Sequence, residues 1–401
     1  MFFPERPNLF CVFFSDSCKL RTEYGNSLLL LQVKVFTIHC ITMDNHSTDN
    51  YRLPAEWEPQ RAVLLTWPHE ETDWQPYLAE ITQTFLQLAK AIARHERLII
   101  AAACPGEMQR RLSAVLSADE MRRVTIYDTP TNDTWARDHG PITLVPQDDC
   151  LPCHLLDFKF NAWGEKFPWE KDNAITLNLA AQGAFDGIVE DHADFVLEGG
   201  SIESDGQGTI MTTSSCLLAP HRNEPMDKAA IERYLLRALH ARRLLWVDHG
   251  QLMGDDTDGH IDTTVRFAPN DTLLYIGCDD PDDPQYEDFR QMEAQLRTFR
   301  TMDGRPYRLL RLPMPDAIYD TGEQLTMEPT AGAERLPATY ANFLVTGGAV
   351  IVPVYNQTEK DQQALSIIRE AFPDRELIAI DARVIIRQHG SIHCLTMQIP
   401  R

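Results

Sequence analysis

Residues 195–213 read FVLEGGSIESDGQGTIMTT and contain two apolar runs separated by turn-forming residues. The runs are 195–197 and 209–213, and the turn residues include Glu198-Gly199-Gly200 and Asp205-Gly206. Glycine and aspartate between β-prone runs are typical of a hairpin. The segment therefore predicts a β-hairpin with a carboxylate, Glu198, at the end of a strand.

A similar unit recurs along the chain. Apolar runs at 142–160, 264–276 and 343–354 also flank turn signals, and each unit precedes a helix-like segment and another strand. Helical spacing of apolar residues predicts five main helices and a short sixth, at about 77–92, 172–182, 226–239, 285–299, 359–371 and 106–116. A degenerate repeat of roughly 60–80 residues predicts an α/β fold with a radial or stacked architecture.

The first 42 residues differ from the rest. They have no clear periodicity, they hold three of the nine cysteines, and a short polar run, 43–50, follows them. We expect residues 1–42 to be an appendage that is disordered or absent from the native protein, and 43–401 to form one domain. An odd cysteine count without an export signal predicts free thiols and a cytoplasmic location.

Composition argues against two classes of partner. The net charge of −22 disfavours nucleic acid, whose phosphates require a basic surface. An acidic surface attracts small cations, although it also simply keeps proteins in solution. No run of about 18 apolar residues is present, so we expect no membrane span. The sequence is compatible with a homo-oligomer.

Four short polar motifs lie at the predicted ends of strands. They are TWARD at 134–138, EGG at 198–200, DGHID at 258–262 and SIHC at 391–394. Each alone has a common structural explanation, such as a surface ion pair, a turn or an inert core cysteine. Together they supply what hydrolysis of a guanidinium group requires.

That reaction needs carboxylates, a strong nucleophile and a general acid. Carboxylates bind the planar, fork-shaped cation through charge-assisted hydrogen bonds, and Asp138, Glu198 and Asp262 could provide them. The guanidinium carbon is a poor electrophile, so we expect a thiolate, that of Cys394, to attack it. His260 titrates near neutral pH, and it could protonate the departing ammonia and then activate water.

Several neighbouring features have structural explanations. His393 adjoins Cys394, but neighbouring side chains in an extended segment point to opposite faces, so we expect His393 to be structural. The oxygen-rich segment 254–262 lacks the glutamate and spacing of an EF-hand, and no metal site is predicted there. Cys150-Leu151-Pro152-Cys153-His154 matches a haem-attachment pattern by chance, since it falls on a predicted turn. The remaining cysteines Cys104, Cys216 and Cys278 are assigned to the core.

With these motifs the chain resembles the agmatine deiminase family of the guanidino-group-modifying superfamily, which is related to bacterial peptidyl-arginine deiminase. The resemblance extends from about residue 53 to 400 and rests on five segments in order: 132–138, 160–164, 197–201, 257–262 and 392–394. It implies a five-bladed α/β propeller, or pentein fold, with pseudo-fivefold repeats and a central active site. That expectation agrees with the five helix-bearing units.

The resemblance also implies roles for individual residues. Cys394 would be the nucleophile, His260 the acid and base, and Asp138, Glu198 and Asp262 the carboxylates around the guanidinium and the histidine. Those three carboxylates and Trp135 would bind the substrate, without a metal or other cofactor. Agmatine would be converted to N-carbamoylputrescine and ammonia in polyamine biosynthesis.

Two departures from the family pattern bear on the substrate. Thr263 replaces an asparagine that often follows the Gly-His-x-Asp motif, and Gln388-His389-Gly390-Ser391 replaces a common Gly-Gly-Gly-Asn run. Peptidyl-arginine deiminase is therefore the nearest alternative. A non-enzymatic propeller that binds a partner is the alternative from another class, but unpaired carboxylates in an apolar cleft are costly without a function.

Overall fold

The computed structural model describes residues 12–17, 34–39, 50–148 and 150–401. The chain divides into two compact units, Met1–Asn50 and Tyr51–Arg401. In the first unit, strands β1 (Val12–Ser17) and β2 (Lys34–His39) pair in antiparallel fashion. The rest of the predicted appendage lies outside the described residues, so its status stays a prediction.

The second unit alternates strands and helices. Its described strands are β3 (Tyr51–Arg52), β4 (Gln60–Thr66), β5 (Arg97–Ala102), β6 (Val124–Asp128), β7 (Ile142–Pro146), β8 (Cys153–Lys159), β9 (Gly187–Val196), β10 (Ile202–Ser204), β11 (Thr209–Thr213), β12 (Arg243–Val247), β13 (Val265–Ala268), β14 (Thr272–Gly277), β15 (Arg308–Pro313), β16 (Tyr319–Asp320), β17 (Leu325–Thr326), β18 (Glu334–Arg335), β19 (Leu344–Val345), β20 (Ala349–Val354), β21 (Glu376–Asp381) and β22 (Thr396–Pro400).

The longer helices lie where the apolar spacing predicts them. The described helices are α1 (Leu78–His95), α2 (Pro105–Val115), α3 (Ala118–Met121), α4 (Ala136–His139), α5 (Ala162–Glu165), α6 (Glu170–Asn173), α7 (Ile175–Ala181), α8 (Ser214–Leu217), α9 (Lys228–Ala238), α10 (Tyr286–Leu296) and α11 (Thr358–Ala371). The five main helices and the short sixth, which is α2, are therefore confirmed, whereas four short helices, α3, α4, α5 and α8, were not predicted. In α1 the residues Ile81, Phe85, Leu88 and Ile92 form one fully buried stripe, as an amphipathic helix requires.

The larger sheets of the second unit share one pattern. In the described residues, five sheets have three or four strands, in the orders β22-β4-β5-β6, β3-β7-β8-β9, β10-β11-β12, β13-β14-β15 and β19-β20-β21. Each contains an antiparallel pair followed by a strand that pairs in parallel, such as β13 with β14 and β14 with β15. A parallel neighbour needs a crossover connection, and the predicted helices provide it. The fold is therefore mixed α/β, as expected.

The hairpin predicted for residues 195–213 is wrong, because its two strands do not pair with each other. Residues 195–196 end β9, which pairs in parallel with β8, whereas β11 takes β10 as its antiparallel neighbour. The reason is a single 3₁₀ turn at Gly199–Ser201, which interrupts the extended backbone and separates the two strands. The hairpins predicted at 142–160, 264–276 and 343–354 are confirmed as β7–β8, β13–β14 and β19–β20.

Strand β4, in the sheet β22-β4-β5-β6, is buried on both faces. In β4, Val63 and Leu65 pack into one hydrophobic cluster, whereas Leu64 packs into another on the opposite face. Successive side chains of a strand point to opposite faces, so a sheet covered on both sides needs a continuous apolar run. Among the described helices, none has the length and apolar character required to cross a bilayer.

Candidate active site

The predicted site residues lie at strand ends and in short turns. Asp138 is in α4, Glu198 follows β9, and His260 and Asp262 flank the start of a 3₁₀ turn, Ile261–Thr263. Cys394 comes two residues before β22. All five side chains are almost completely buried, with exposed fractions of 4% or less. The strands thus deliver residues that are distant in sequence to one region.

Asn342 and two carboxylates surround Cys394. The Sγ atom lies 3.4 Å from Oδ1 of Asn342 and 3.9 Å from Oδ2 of Asp262, and the same amide oxygen accepts the Cys394 backbone N–H. Burial, together with the negative charges of Asp262 and Asp138, raises the pKa of Cys394 well above its ordinary value. The thiol is consequently protonated until positive charge approaches it.

Asp138 and His260 form a close pair. The Oδ1 atom of Asp138 accepts the N–H of Gly200 at 2.9 Å and lies 3.7 Å from Nδ1 of His260. The indole N–H of Trp163 donates to the other oxygen of Asp138 at 3.1 Å. Burial raises the pKa of Asp138 to about 6, although the attraction of His260 opposes that shift. Asp138 is therefore ionised at neutral pH.

His260 favours its charged form despite its burial. Burial lowers its pKa, but the Asp138 carboxylate and Cys216 outweigh that effect, so the pKa of His260 lies well above its ordinary value. Within the described chain, no group makes a well-formed hydrogen bond with either ring nitrogen of His260. A buried imidazolium with free N–H groups can donate a proton to a ligand.

The two glycines of the EGG motif allow this close packing. A Cβ atom at Gly200 would lie 2.6 Å from Nδ1 of His260, 2.9 Å from Oδ1 of Asp138 and 3.0 Å from Oδ2 of Asp262. A Cβ atom at Gly199 would lie 2.2 Å from the backbone oxygen of Arg137. Only glycine fits at either position, because real Cβ atoms do not approach other atoms so closely.

Glu198 is already paired within the chain. Its Oε1 atom accepts Nε of Arg222 at 3.0 Å, and neither side chain has any exposed surface. Its Oε2 atom has no hydrogen-bond partner among the described residues. Only Oε2 of Glu198 is therefore available to a ligand.

Asp262 receives its orientation from His393. Nδ1 of His393 lies 2.7 Å from Oδ2 of Asp262, and its Nε2 atom lies 2.7 Å from Oε1 of Glu56. Burial raises the pKa of Asp262, but the hydrogen bond and charge of His393 lower it further, to below its ordinary value. His393 does not line the pocket that contains Cys394, but it holds the same oxygen of Asp262 that lies beside the Cys394 sulfur. Residues 392–395 form a turn, so the extended segment from which we expected the two side chains to diverge is not present.

A pocket leads from the surface to Cys394 and Asp138. Half of the lining residues are aromatic or acidic besides Asp138: Trp135, Phe160, Trp163 and Phe167, with Glu71, Asp73, Asp133, Asp172 and Asp256. No lysine or arginine occurs among the described residues that line it. His260, Glu198 and Asp262 lie behind this surface. Gln388, His389 and Gly390, which belong to the segment that departs from the family pattern, line the pocket.

Burial strongly affects two of the acidic side chains. Burial and the neighbouring Asp73 carboxylate raise the pKa of Asp133 to about 7. Burial also raises the pKa of Asp172 to about 8, although its oxygens accept the backbone N–H groups of Asn132 and Asp133. Both carboxyls hold protons at neutral pH more readily than ordinary aspartates, and a bound cation would favour their ionisation.

Sequence reasoning missed several residues of the site. Asn342, Arg222 and Trp163 contact predicted site residues, but only Trp163 lies in a motif that could have indicated it. Cys216 is buried, as expected for a core residue, yet it lies beside His260 and Glu198. Cys104 is exposed, contrary to the expectation of a core position, because it immediately precedes α2.

The model of one protein family, the Porphyromonas-type peptidyl-arginine deiminases, matches residues 52–400. The chain belongs to this family. A family relative in Vibrio parahaemolyticus, provisionally named agmatine deiminase, is 36% identical over 360 residues, which cover 88% of this chain and 97% of the relative.

Two solved structures are also similar to this family member. One, provisionally described as an arginine deiminase from Porphyromonas gingivalis, is 46% identical, with a TM-score of 0.79, and the match covers 88% of this chain and 98% of that one. An agmatine deiminase of C. jejuni, with a cysteine changed to serine and substrate bound, is 33% identical, with a TM-score of 0.77 and coverage of 88% and 96%. The likeness therefore covers nearly the whole second unit.

Proposed function

We propose that the protein hydrolyses the guanidinium group of agmatine to N-carbamoylputrescine and ammonia, through a covalent intermediate on Cys394. The observation that carries the proposal is the pocket that ends at Cys394. Carboxylates line this pocket, and no lysine or arginine occurs among the described residues that line it. Agmatine has a cation at each end and no carboxylate. Free arginine has a carboxylate that would lie among these acidic groups without a partner, which costs binding free energy.

Binding would bring the guanidinium between Asp138 and Cys394. Asp138 is ionised at neutral pH and is held by Gly200 and Trp163, so its position is fixed before the substrate arrives. The rings of Trp135 and Trp163 pack edge to face and form apolar walls for the alkyl chain. The distal amine would reach the acidic part of the pocket, where Asp73 and Asp133 are neighbours.

The first step transfers the amidino group to sulfur. The empty site disfavours the thiolate, but the charge of a guanidinium next to Sγ stabilises it. The substrate therefore helps to activate the nucleophile that attacks it. The Cys394 thiol releases its proton to solvent and the S–C bond forms. His260 then gives a proton to the leaving nitrogen, and the C–N bond breaks to release ammonia. The positive charge stays on the S-amidino intermediate, where Asp138 and Asp262 stabilise it.

The second step regenerates the thiol. Neutral His260 takes a proton from water, which attacks the same carbon, and the C–S bond then breaks. The products are the ureido compound and the free cysteine. Asp262, fixed by His393, and Asn342 hold Cys394 through both steps. All these roles belong to side chains, so the proposal requires no metal or cofactor.

The remaining parts of the proposal concern architecture and context. We infer that the five sheets are the blades of a propeller with this site at the centre, since each has the same strand pattern. Polyamine biosynthesis in the cytoplasm would be the setting. The names of the Vibrio and C. jejuni relatives support agmatine as the substrate.

The deciding experiment compares substrates side by side. Ammonia release is measured with agmatine, free arginine and a peptide in which arginine is blocked at both ends. We expect kcat/KM for agmatine to exceed that for arginine by at least about 100-fold, because about 3 kcal/mol separates a paired from an unpaired buried charge. Equal or higher rates on arginine or the peptide would reject agmatine as the substrate.

Peptidyl-arginine is the second candidate. The family model and the 46% identical structure from P. gingivalis favour an arginine-derived substrate. The exposed ring of Phe167 at the pocket also offers a contact for a larger substrate. In the same assay, this candidate predicts that the blocked peptide is the fastest of the three substrates.

A further inference from the structure

Three potential metal-ligand atoms converge beside the candidate active site. One ligand atom from each of Glu198, Cys216 and His260 lies within 4.8 Å of the other two, and all three side chains are fully buried. A thiolate, an imidazole and a carboxylate form the type of ligand set that Zn²⁺ uses. A tetrahedral zinc site has metal–ligand bonds of about 2.0–2.3 Å. The distances between the three ligand atoms would have to shorten by roughly 1 Å to match the edge length of such a tetrahedron.

Unpartnered atoms in the cluster provide an independent observation. In the part of the chain that the structure describes, Oε2 of Glu198 lacks a hydrogen-bond partner although it is completely buried. The ring nitrogens of His260 have no well-formed hydrogen bond either, and the group that interacts with them from within the cluster is the Cys216 thiol. Such groups normally pair with protein, water or an ion. The acid and base role uses His260, but it does not use the Cys216 thiol or the free oxygen of Glu198.

The local fold holds Cys216 firmly in place. Thr213 caps α8, accepts the backbone N–H of Cys216 at 3.3 Å, and donates its hydroxyl to the backbone oxygen of Gly259 at 2.5 Å. These bonds join α8 directly to the turn that carries His260. Arg222 fixes Glu198 from the opposite side through Oε1 and leaves Oε2 available. Three separate elements therefore present their ligand atoms to one point.

We propose that Glu198, Cys216 and His260 form a site for a thiophilic divalent cation such as Zn²⁺. Coordination would release two protons to solvent, one from the Cys216 thiol and one from the His260 imidazolium. The ligands would then be the Cys216 thiolate, a ring nitrogen of neutral His260, Oε2 of Glu198 and a water molecule. If the proposed deiminase mechanism holds, an occupied site removes His260 from proton transfer, so micromolar metal inhibits turnover. The site is regulatory or inhibitory rather than required.

Metal binding can be measured without any substrate, so its failure is distinct from failure of the proposed activity. The full-length protein is reduced, freed of metal with a chelator and titrated with Co²⁺. We expect a near-ultraviolet thiolate-to-cobalt charge-transfer band and visible bands of tetrahedral cobalt that saturate together. Zn²⁺ should displace the cobalt and abolish both. Absence of a thiolate band in the wild-type protein overturns the proposal.

Variants identify the ligands. Cys216→Ser should remove the charge-transfer band and weaken Zn²⁺ binding by more than the roughly 10–100-fold that loss of an outer-shell partner costs. Glu198→Gln should keep the band but weaken binding. Cys278→Ser, which changes a buried cysteine that is absent from the cluster, is the matched control and should leave both unchanged.

Two outcomes would contradict the assignment. A band that persists in Cys216→Ser, or one that disappears in Cys394→Ser instead, would place the metal elsewhere. If Cys216→Ser fails to fold by circular dichroism, X-ray absorption of zinc-loaded wild-type protein replaces it. One sulfur with nitrogen and oxygen neighbours supports the site, whereas a shell without sulfur, or with several sulfurs, rejects it.

Discussion

The thiol of Cys394 is stable in its neutral form until a cation enters the pocket. Burial and the carboxylates of Asp262 and Asp138 disfavour the thiolate. Free enzyme should therefore react slowly with alkylating agents, and a guanidinium ligand should accelerate that reaction, because it supplies the missing positive charge. This residue-level behaviour separates a nucleophile from an inert core cysteine.

Replacement of Cys394 by alanine tests that role. We expect turnover to fall by at least about 10⁴-fold, since no other group can hold the intermediate, whereas agmatine should still bind to Asp138. Isothermal titration measures the binding, and mass spectrometry of acid-quenched wild-type enzyme should place any adduct on Cys394. Cys278→Ala is the control with normal activity. An adduct on another cysteine, or appreciable activity of Cys394→Ala, would show that the nucleophile is misassigned.

Replacement of His260 by asparagine should slow both chemical steps. Loss of a general acid and base typically costs roughly 10²–10⁴-fold in rate. Because the second step also loses its base, the S-amidino adduct should accumulate in this variant and appear as added mass on rapid quenching. A rate within a factor of ten of wild type would exclude His260 from proton transfer.

Asp133 makes the affinity for a dication depend on pH. Its pKa is raised to about 7, so the carboxyl gains a proton as the pH falls through 7, and attraction for the distal amine is lost. Asp138, with a pKa of about 6, loses its charge at lower pH. We expect kcat/KM for agmatine to fall below about pH 7, with KM rising first. Asp133→Asn should abolish the upper part of this fall.

The same substitution should stabilise the folded protein in alkaline solution. A carboxyl whose pKa is higher in the folded than in the unfolded chain binds its proton more tightly when folded, so folding stability decreases as the pH rises from about 4 to 7. Asp133→Asn removes that loss. Its melting temperature should exceed that of wild type at pH 8, and a lower value would contradict burial as the cause of the shift.

At the scale of elements, the spacing of apolar residues and the turn signals were sufficient to predict the longer helices and most hairpins. The buried stripe of α1 and the turn between β13 and β14 depend on local patterns that the sequence displays directly. The pairing of β10 with β11 could not be predicted, because the 3₁₀ turn at Gly199–Ser201 arises from tertiary contacts of two glycines. Asn342 and Arg222 were missed for a similar reason: their partners are distant in sequence.

Gly200 connects this turn to catalysis. Gly200→Ala would place a methyl group 2.6 Å from Nδ1 of His260, and His260, Asp138 and Asp262 would all have to shift. We expect kcat to fall by about 100-fold, because displacements near 1 Å have effects of that size, while the protein remains folded. Gly106→Ala is the matched control, since nothing lies within 4 Å of its added Cβ. Equal activity of the two variants would show that the site tolerates displacement.

On the scale of the whole molecule, the family match and the second compact unit begin at nearly the same place, residues 52 and 51. A chain that starts at Met43 should therefore keep the melting temperature and turnover of the full-length protein. A chain that starts at residue 60 is the informative contrast, because it lacks Glu56, which contacts His393, Arg137 and Arg266. Insolubility of the Met43 chain would mean that the preceding residues belong to the fold.

The pairing of β22 with β4 has a consequence for the timing of synthesis. Cys394 and β22 are the last parts of this unit to leave the ribosome, whereas Asp138, Glu198 and His260 are translated much earlier. A nascent chain thus has a partial site without a thiol, and until β22 arrives β4 keeps an open edge that invites pairing with other chains. In synchronised cell-free translation, ammonia release should begin only when chains that contain Cys394 and β22 accumulate.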